Sequence, residues 1–131
     1  RKINKYWKKR KSIHDNYTKK LKHLPLLFQK INPYPVKYAY HLFVIRIDNT
    51  KTNKKRDSLI KFLAKNNIGS GVNYRSVTDM TYYKKYLGWN HNTCKIAKLV
   101  GDNILSLPLY PALNKNKANY ICKIVCEFFQ K

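Results

Sequence analysis

Apolar residues at the start of the chain fall at helical spacing. Ile3, Tyr6, Trp7, Ile13, Tyr17 and Leu21 recur at three- and four-residue steps, with lysines and Arg10 on the other side, which predicts a helix from Arg1 to about Leu21. No capping residue stands before Ile3, so this helix is expected to continue from something upstream. Leu24 to Ile31 is a short apolar stretch that predicts a strand, and Pro33 and Pro35 predict an extended or turning link after it. Tyr38 to Ile47 is dense in β-branched and aromatic residues and predicts the principal strand. Its near-continuous apolar character predicts a central strand with both faces covered, and His41 at its start reads as a structural histidine.

Asp48 to Lys51 is expected to turn, and Asn53 to cap a helix whose first turn holds Asp57. Leu59, Ile60, Phe62 and Leu63 form that helix's apolar face. Asn67 falls where a helix ends in the left-handed conformation, with Ile68 folding back on the last turn. Gly69 to Tyr74 predicts the next strand, and Thr78 to Tyr86 a loop passing into a short helix with an aromatic surface of Met80, Tyr82, Tyr83 and Tyr86. After a break at Gly88 to Thr93, Cys94 to Val100 predicts a short helix with Ile96, Ala97 and Val100 inward. Ile104 to Leu107 predicts a strand stopped by Pro108 and Pro111. Asn114 then caps a final amphipathic helix that buries Ala118, Ile121, Ile124, Val125 and Phe128. This order specifies an α+β fold, a small, mostly antiparallel sheet with helices packed on one face.

Composition narrows the picture. A chain of 131 residues with 44% hydrophobic content suits a single core. The formal charge of +22 would attract polyanions, and a nucleic-acid partner has to be weighed. The lysines recur in nearly every segment alongside many Asn, Ile and Tyr, as in a global compositional bias, so the charge implies non-specific, salt-sensitive anion binding rather than a selected ligand. Three cysteines, Cys94, Cys122 and Cys126, without a CxxC pair give no disulfide framework, and Cys122 and Cys126, one turn apart, are expected to face the core. No metal-ligand spacing joins them to His41 or His91. Neither a signal peptide nor a membrane-spanning run is visible, and a reduced cytoplasm is the expected compartment.

The candidate chemistry sits after the two glycines, where Asn73, Tyr74 and Arg75 set an amide, a phenol and a guanidinium side by side at a strand end. Such a trio suits an oxygen-rich ligand held by hydrogen bonds. The same residues also suit an ordinary helix–strand connection with a solvated end.

Five blocks come in an order that resembles a known family. They are His41-Leu42-Phe43-Val44-Ile45-Arg46, Arg56-Asp57-Ser58-Leu59-Ile60, Gly69-Ser70-Gly71-Val72-Asn73-Tyr74-Arg75, Tyr82-Tyr83-Lys84-Lys85 and Leu105-Ser106-Leu107-Pro108-Leu109-Tyr110-Pro111. Together they resemble the C-terminal part of the DegT/DnrJ/StrS family of fold-type-I, pyridoxal-phosphate-dependent aminotransferases, which act on nucleotide-linked keto-sugars. The resemblance implies that residues 1–22 are a linking helix and residues 23–131 the small C-terminal domain, one that covers the active-site cleft. It implies substrate contacts from Asn73, Tyr74 and Arg75, with Arg75 pairing a phosphate or a donor carboxylate, or else an acidic residue of the large domain. Many members carry His where this chain has Asn73, and an amide cannot serve as a general base.

The cofactor-binding large domain, with its Schiff-base lysine and the acidic partner of the pyridine nitrogen, is expected to lie outside these residues. Pyridoxal phosphate therefore belongs to the parent enzyme, implied to be a homodimer, and the chain alone is expected neither to bind it nor to catalyse. Three readings follow: a domain or fragment of a sugar aminotransferase, a basic nucleic-acid-binding module, and a stand-alone interaction domain derived from such an enzyme. The first predicts an exposed apolar patch in which Trp7 and the Tyr82–Tyr86 surface meet the missing domain.

Overall fold

The computed structural model describes residues 2–30 and 37–130. Ile31, Pro33 and Pro35, where the first strand was expected to end and a link to follow, lie outside the described residues, as does Arg1. The elements are α1 (Ile3–Leu21), β1 (Leu26–Phe28), β2 (Phe43–Ile47), α2 (Arg56–Lys65), a 3₁₀ turn (Val77–Asp79), α3 (Thr81–Leu87), α4 (Lys95–Asn103), β3 (Ile104–Leu107) and α5 (Lys115–Gln130). The three strands form one antiparallel sheet in the order β1-β2-β3. This is the α+β architecture the periodicity predicts.

One face of the sheet makes the core. Phe43, Ile45 and Ile47 of β2, Leu105 and Leu107 of β3 and Leu26 of β1 are buried with Ile13, Tyr17 and Leu21 of α1, Leu59 and Leu63 of α2 and the apolar stripe of α5. All five α5 residues expected inside are inside, and Cys122 joins them, its thiol pushed up to about 11 by burial. Tyr17 is fully buried, and its hydroxyl donates to Pro108 O at 2.9 Å, which fixes the chain where it leaves β3. Burial raises the pKa of this phenol well above its ordinary value. Asn114 caps α5 as expected, accepting from the Lys117 backbone N–H at 2.8 Å.

Several expectations are corrected. β2 is shorter than the apolar run, because Tyr40 takes φ 48° and breaks the extended backbone before Phe43. Only one face of β2 is covered in full, since Val44 and Arg46 remain partly exposed. His41 is exposed rather than structural. Asn53 does not cap α2; Lys55 holds that position without a side-chain bond, and Thr52 Oγ1 accepts from Lys54 N just upstream. Ile96 and Ala97 point to solvent, and α4 buries Gly101 and Asn103 instead. Trp7 is half-buried, donating through Nε1 to Tyr38 O at 2.7 Å and meeting Tyr40 edge-on.

Candidate functional site

The exit from α2 sets the site. Asn67 sits at φ 58°, and the N–H of Ile68 returns to Leu63 O at 2.9 Å. Ile68 is thereby buried, which aims the following glycines along the edge of β3. The strand expected at Gly69 to Tyr74 reduces to one bridge, Gly71 with Ser106, made by N–H to O bonds of 3.2 and 2.7 Å. Past that bridge the chain lifts away, so its side chains do not alternate across a sheet.

Asn73 folds back at this point. Ser106 Oγ donates to Asn73 Oδ1 at 3.0 Å, stapling the loop to β3. A Cβ on Gly71 would come within 3.1 Å of that same Oδ1, so the glycine leaves room for the return. The Asn73–Tyr74 peptide bond is cis. Tyr74, 76% exposed, and Arg75 project outward with no hydrogen-bond or ion-pair partner among the described residues. Of the three candidate residues, then, only Asn73 faces inward.

The outer side of the loop rests on α4. A Cβ at Gly101 would lie 2.6 Å from Ser76 N and 3.3 Å from Arg75 C, so only a glycine admits this contact. Arg56 braces the helix from α2, donating through Nη1 to Gly101 O at 3.1 Å while Nε pairs with Asp57. Lys98 bridges Asp79 of the 3₁₀ turn at 3.2 Å and Asp102 at 2.7 Å, and the bond to Asp102 is the main reason its pKa rises. Ser76 Oγ and Thr78 Oγ1 share a buried hydrogen bond of 2.7 Å. The loop is therefore held from two sides, with Tyr74 and Arg75 at its apex.

Two cavities flank it. A groove of about 860 Å³ runs between residues 66–73 and the Leu107–Leu113 segment, and is closed by Lys117 and Tyr120 of α5. The Gly69–Arg75 and Leu105–Pro111 sequence blocks converge there. A smaller cavity of about 420 Å³ opens on the sheet's other face, lined by Leu27, Gln29, Val44, Arg46, Val100 and Ile104. Asn73 lines both. Pyridoxal phosphate needs an amine for covalent attachment and a carboxylate facing its pyridine nitrogen. Lys117 is the one amine on the larger groove's described wall, and no Asp or Glu lines it, so these residues do not make a cofactor site. No group of three or more His, Cys, Asp or Glu comes together among the described residues, and no helix there is long and apolar enough to cross a membrane.

Sequence reasoning missed Ser106, Gly101 and Arg46. Ser106 was visible only as the one polar residue of an apolar strand, and Gly101 carried no local signal. Arg46 is the single charge within the apolar run of β2, and that interruption was the available clue.

A three-stranded antiparallel sheet backed by helices, with a Gly-x-Gly loop stapled to its last strand, is the architecture of part of a fold-type-I aminotransferase. The chain belongs to the DegT/DnrJ/EryC1/StrS aminotransferase family, whose model matches residues 1–126. Among solved structures it is similar to Spr1654 of Streptococcus pneumoniae in its PMP form, with a TM-score of 0.87 at 23% identity over 98% of this chain and 32% of that one. DesV of S. venezuelae, in complex with a ketimine intermediate, gives 0.84 at 22% identity over 99% and 33%. PseC of Helicobacter pylori, an aminotransferase involved in the biosynthesis of pseudoaminic acid, gives 0.83 at 22% over 98% and 34%. At these identities the likeness is one of fold, and the chain spans about a third of the length of each.

Proposed function

We propose that this chain is the C-terminal domain of a pyridoxal-phosphate-dependent aminotransferase acting on a nucleotide-linked keto-sugar, with residues 1–22 as the linking helix. In this reading it covers one side of the active-site cleft, positions the substrate and excludes water. The cofactor supplies the electron sink for amino transfer and is held by the large domain. The observation that carries the reading is the loop 69–76, fastened to Ser106 on one side and Gly101 on the other, with a free phenol and guanidinium at its apex. Asn73 orients through its amide and does not move a proton. Tyr74 donates to a sugar hydroxyl, and Arg75 pairs a phosphate or the donor carboxylate.

The exposed apolar surface supports docking onto the large domain. Val77, Met80, Tyr82, Tyr86 and Leu87 lie open around the 3₁₀ turn and α3, and Ile96 and Leu99 on α4. The parent enzyme is read as a homodimer in the cytoplasm, where three free cysteines stay reduced.

Amino transfer by the longest polypeptide carrying these residues tests the reading. Arg75→Ala is expected to raise KM for the keto-sugar or the amino donor about 10- to 100-fold, and Tyr74→Phe by less. An unchanged KM in both variants would remove the proposed role. The 131-residue chain mixed with pyridoxal phosphate is expected to give no absorbance band at about 400–430 nm, because Lys117, the one amine on the larger groove's described wall, faces no carboxylate there. A borohydride-trappable band would overturn this. Filter binding at two salt concentrations tests the nucleic-acid reading: that module predicts retention at low salt that falls steeply as salt rises, and no retention at low salt would remove it.

A further inference from the structure

The smaller cavity differs from the larger one in what its polar groups have left to offer. Arg46 stands on the middle strand, on the face turned away from the core, between Leu27 of β1 and Ile104 of β3 in register. It is partly buried, yet its guanidinium has no hydrogen-bond or ion-pair partner among the described residues. The nearby carboxylate of Asp48 makes its hydrogen bonds elsewhere, accepting from Thr50 N at 3.1 Å and Thr50 Oγ1 at 2.6 Å, and lies 3.8 Å from Lys51 Nζ; it meets Arg46 only as a more distant charge. Two amides share the cavity with Arg46. Asn73 has its oxygen turned to the Ser106 hydroxyl at 3.0 Å, and Gln29 has its oxygen turned to the Tyr38 hydroxyl at 2.9 Å. Each is left with an NH₂ group to donate.

We propose that Arg46, Asn73 and Gln29 form an oxyanion subsite on the open face of the sheet, one that takes a phosphoryl group of the nucleotide-linked substrate. Three donor-bearing side chains and no carboxylate line the space, so an anion meets attraction from each of its lining polar groups. A guanidinium fork matches two phosphoryl oxygens in a bidentate pair. Leu27, Val44, Val100 and Ile104 form apolar walls that limit water and leave a face for a sugar or base to pack against. The cavity, about 420 Å³, exceeds what a bare phosphate needs and suits a larger ligand bearing one. Asn73 lines both cavities, so a substrate whose phosphate sits at Arg46 reaches the Asn73–Arg75 loop with its remainder. The subsite rests on the aminotransferase-domain reading and gives the phosphate a seat distinct from Arg75.

The test uses the 131-residue chain, titrated with uridine diphosphate, inorganic pyrophosphate and glutamate at about 0.15 M salt to screen diffuse attraction. Binding is followed through the side-chain N–H resonances of Arg46, Asn73 and Gln29. Uridine diphosphate is expected to shift all three and glutamate none. Arg46→Met, which keeps an apolar stem, is expected to weaken uridine diphosphate at least about tenfold, and Gln29→Leu about threefold. Lys85→Met removes the same charge from an exposed site on α3 and is expected to change affinity less than about twofold. Equal losses in Arg46→Met and Lys85→Met would overturn the subsite, as would unshifted resonances or competition by glutamate at the same three groups. Pyrophosphate binding as tightly as uridine diphosphate would assign the cavity to free phosphate and overturn the nucleotide assignment. If Arg46→Met misfolds, Gln29→Leu, at an exposed position, decides. Binding intact in Arg46→Met but lost in Arg75→Ala would sink the subsite while leaving the proposed function standing, and no specific binding at all would sink both.

Discussion

Phe43, Ile45 and Ile47 turn to one face of β2, and Val44 and Arg46 to the other. The first three are no more than 2% exposed and meet α1, α2 and α5, while the other two border a cavity. The core face has apolar side chains against apolar side chains, and its composition is explained by burial alone. The open face carries a cation without a hydrogen-bond or ion-pair partner among the described residues, a serine bonded to an asparagine, and a loop fastened on both sides. The Arg46 guanidinium has no hydrogen-bond or ion-pair partner among the described residues, and desolvating it costs free energy that the charge of Asp48, two residues on, offsets only in part. One face therefore accounts for stability, and the other carries the proposed subsite.

Substitution within the single strand β2 is the sharpest way to break this contrast. Ile45→Ala should cost about 2–5 kcal/mol in urea unfolding, because the side chain is fully buried and its neighbours cannot all collapse into the space. Arg46→Met, one residue away, should cost nothing or stabilise slightly. Comparable losses at both positions would mean that the open face is also core. Next in size is Gly101→Ala. Its Cβ would meet Ser76 N at 2.6 Å, so it should cost about 1–3 kcal/mol and move the backbone amide resonances of residues 74–78, whereas a silent substitution would show that the loop does not rest on α4.

Smaller effects separate the two asparagines that the sequence offered as caps. Asn114→Ala should cost about 1 kcal/mol, and Asn53→Ala less than about 0.5 kcal/mol, by denaturant melts. The reverse order would restore Asn53 as a cap.

The smallest effect is a pH dependence at the edge of the core. Burial among Tyr38, Tyr40 and Phe43 lowers the His14 pKa from its ordinary 6.5, against a smaller raising effect of Asp15, and its Nδ1 is buried without a hydrogen-bond partner. Below about pH 6.5 the unfolded chain binds the proton more readily than the folded one. Stability is then fully present above that pH and declines as pH falls toward the folded-state value. His14→Gln should flatten this part of the stability–pH curve; an unchanged curve would show that His14 titrates alike in both states.

The core was legible because burial repeats at 3.6 or 2 residues, and one sequence displays that repeat. The stripe of α5, the C-terminal half of the α1 stripe (Ile13, Tyr17 and Leu21), β3 and the left-handed Asn67 fell where local chemistry put them, while Ile3 and Tyr6 at the start of α1 lie exposed. The errors fell where a distant partner decided. Ile96 looks like a core residue in a helical pattern, but α4 turns Gly101 and Asn103 inward, because the close approach of Ser76 admits only a glycine. In the candidate site, Asn73, Tyr74 and Arg75 were found as a trio because they are adjacent, but their division into one inward and two outward side chains was not visible.

By itself the sequence determined the element order apart from the strand expected at Gly69 to Tyr74, the core stripes of α2 and α5, the family and the stretch that carries the polar trio. These depend on contacts a few residues apart or on short ordered blocks. Only the tertiary structure decided that Ser106 would hold Asn73, that Gly101 would bed the loop, and that Arg46, Gln29 and Asn73 would share a cavity. Those residues are separated by tens of positions, and what joins them is the antiparallel register of β2 with its neighbours, which no local preference encodes.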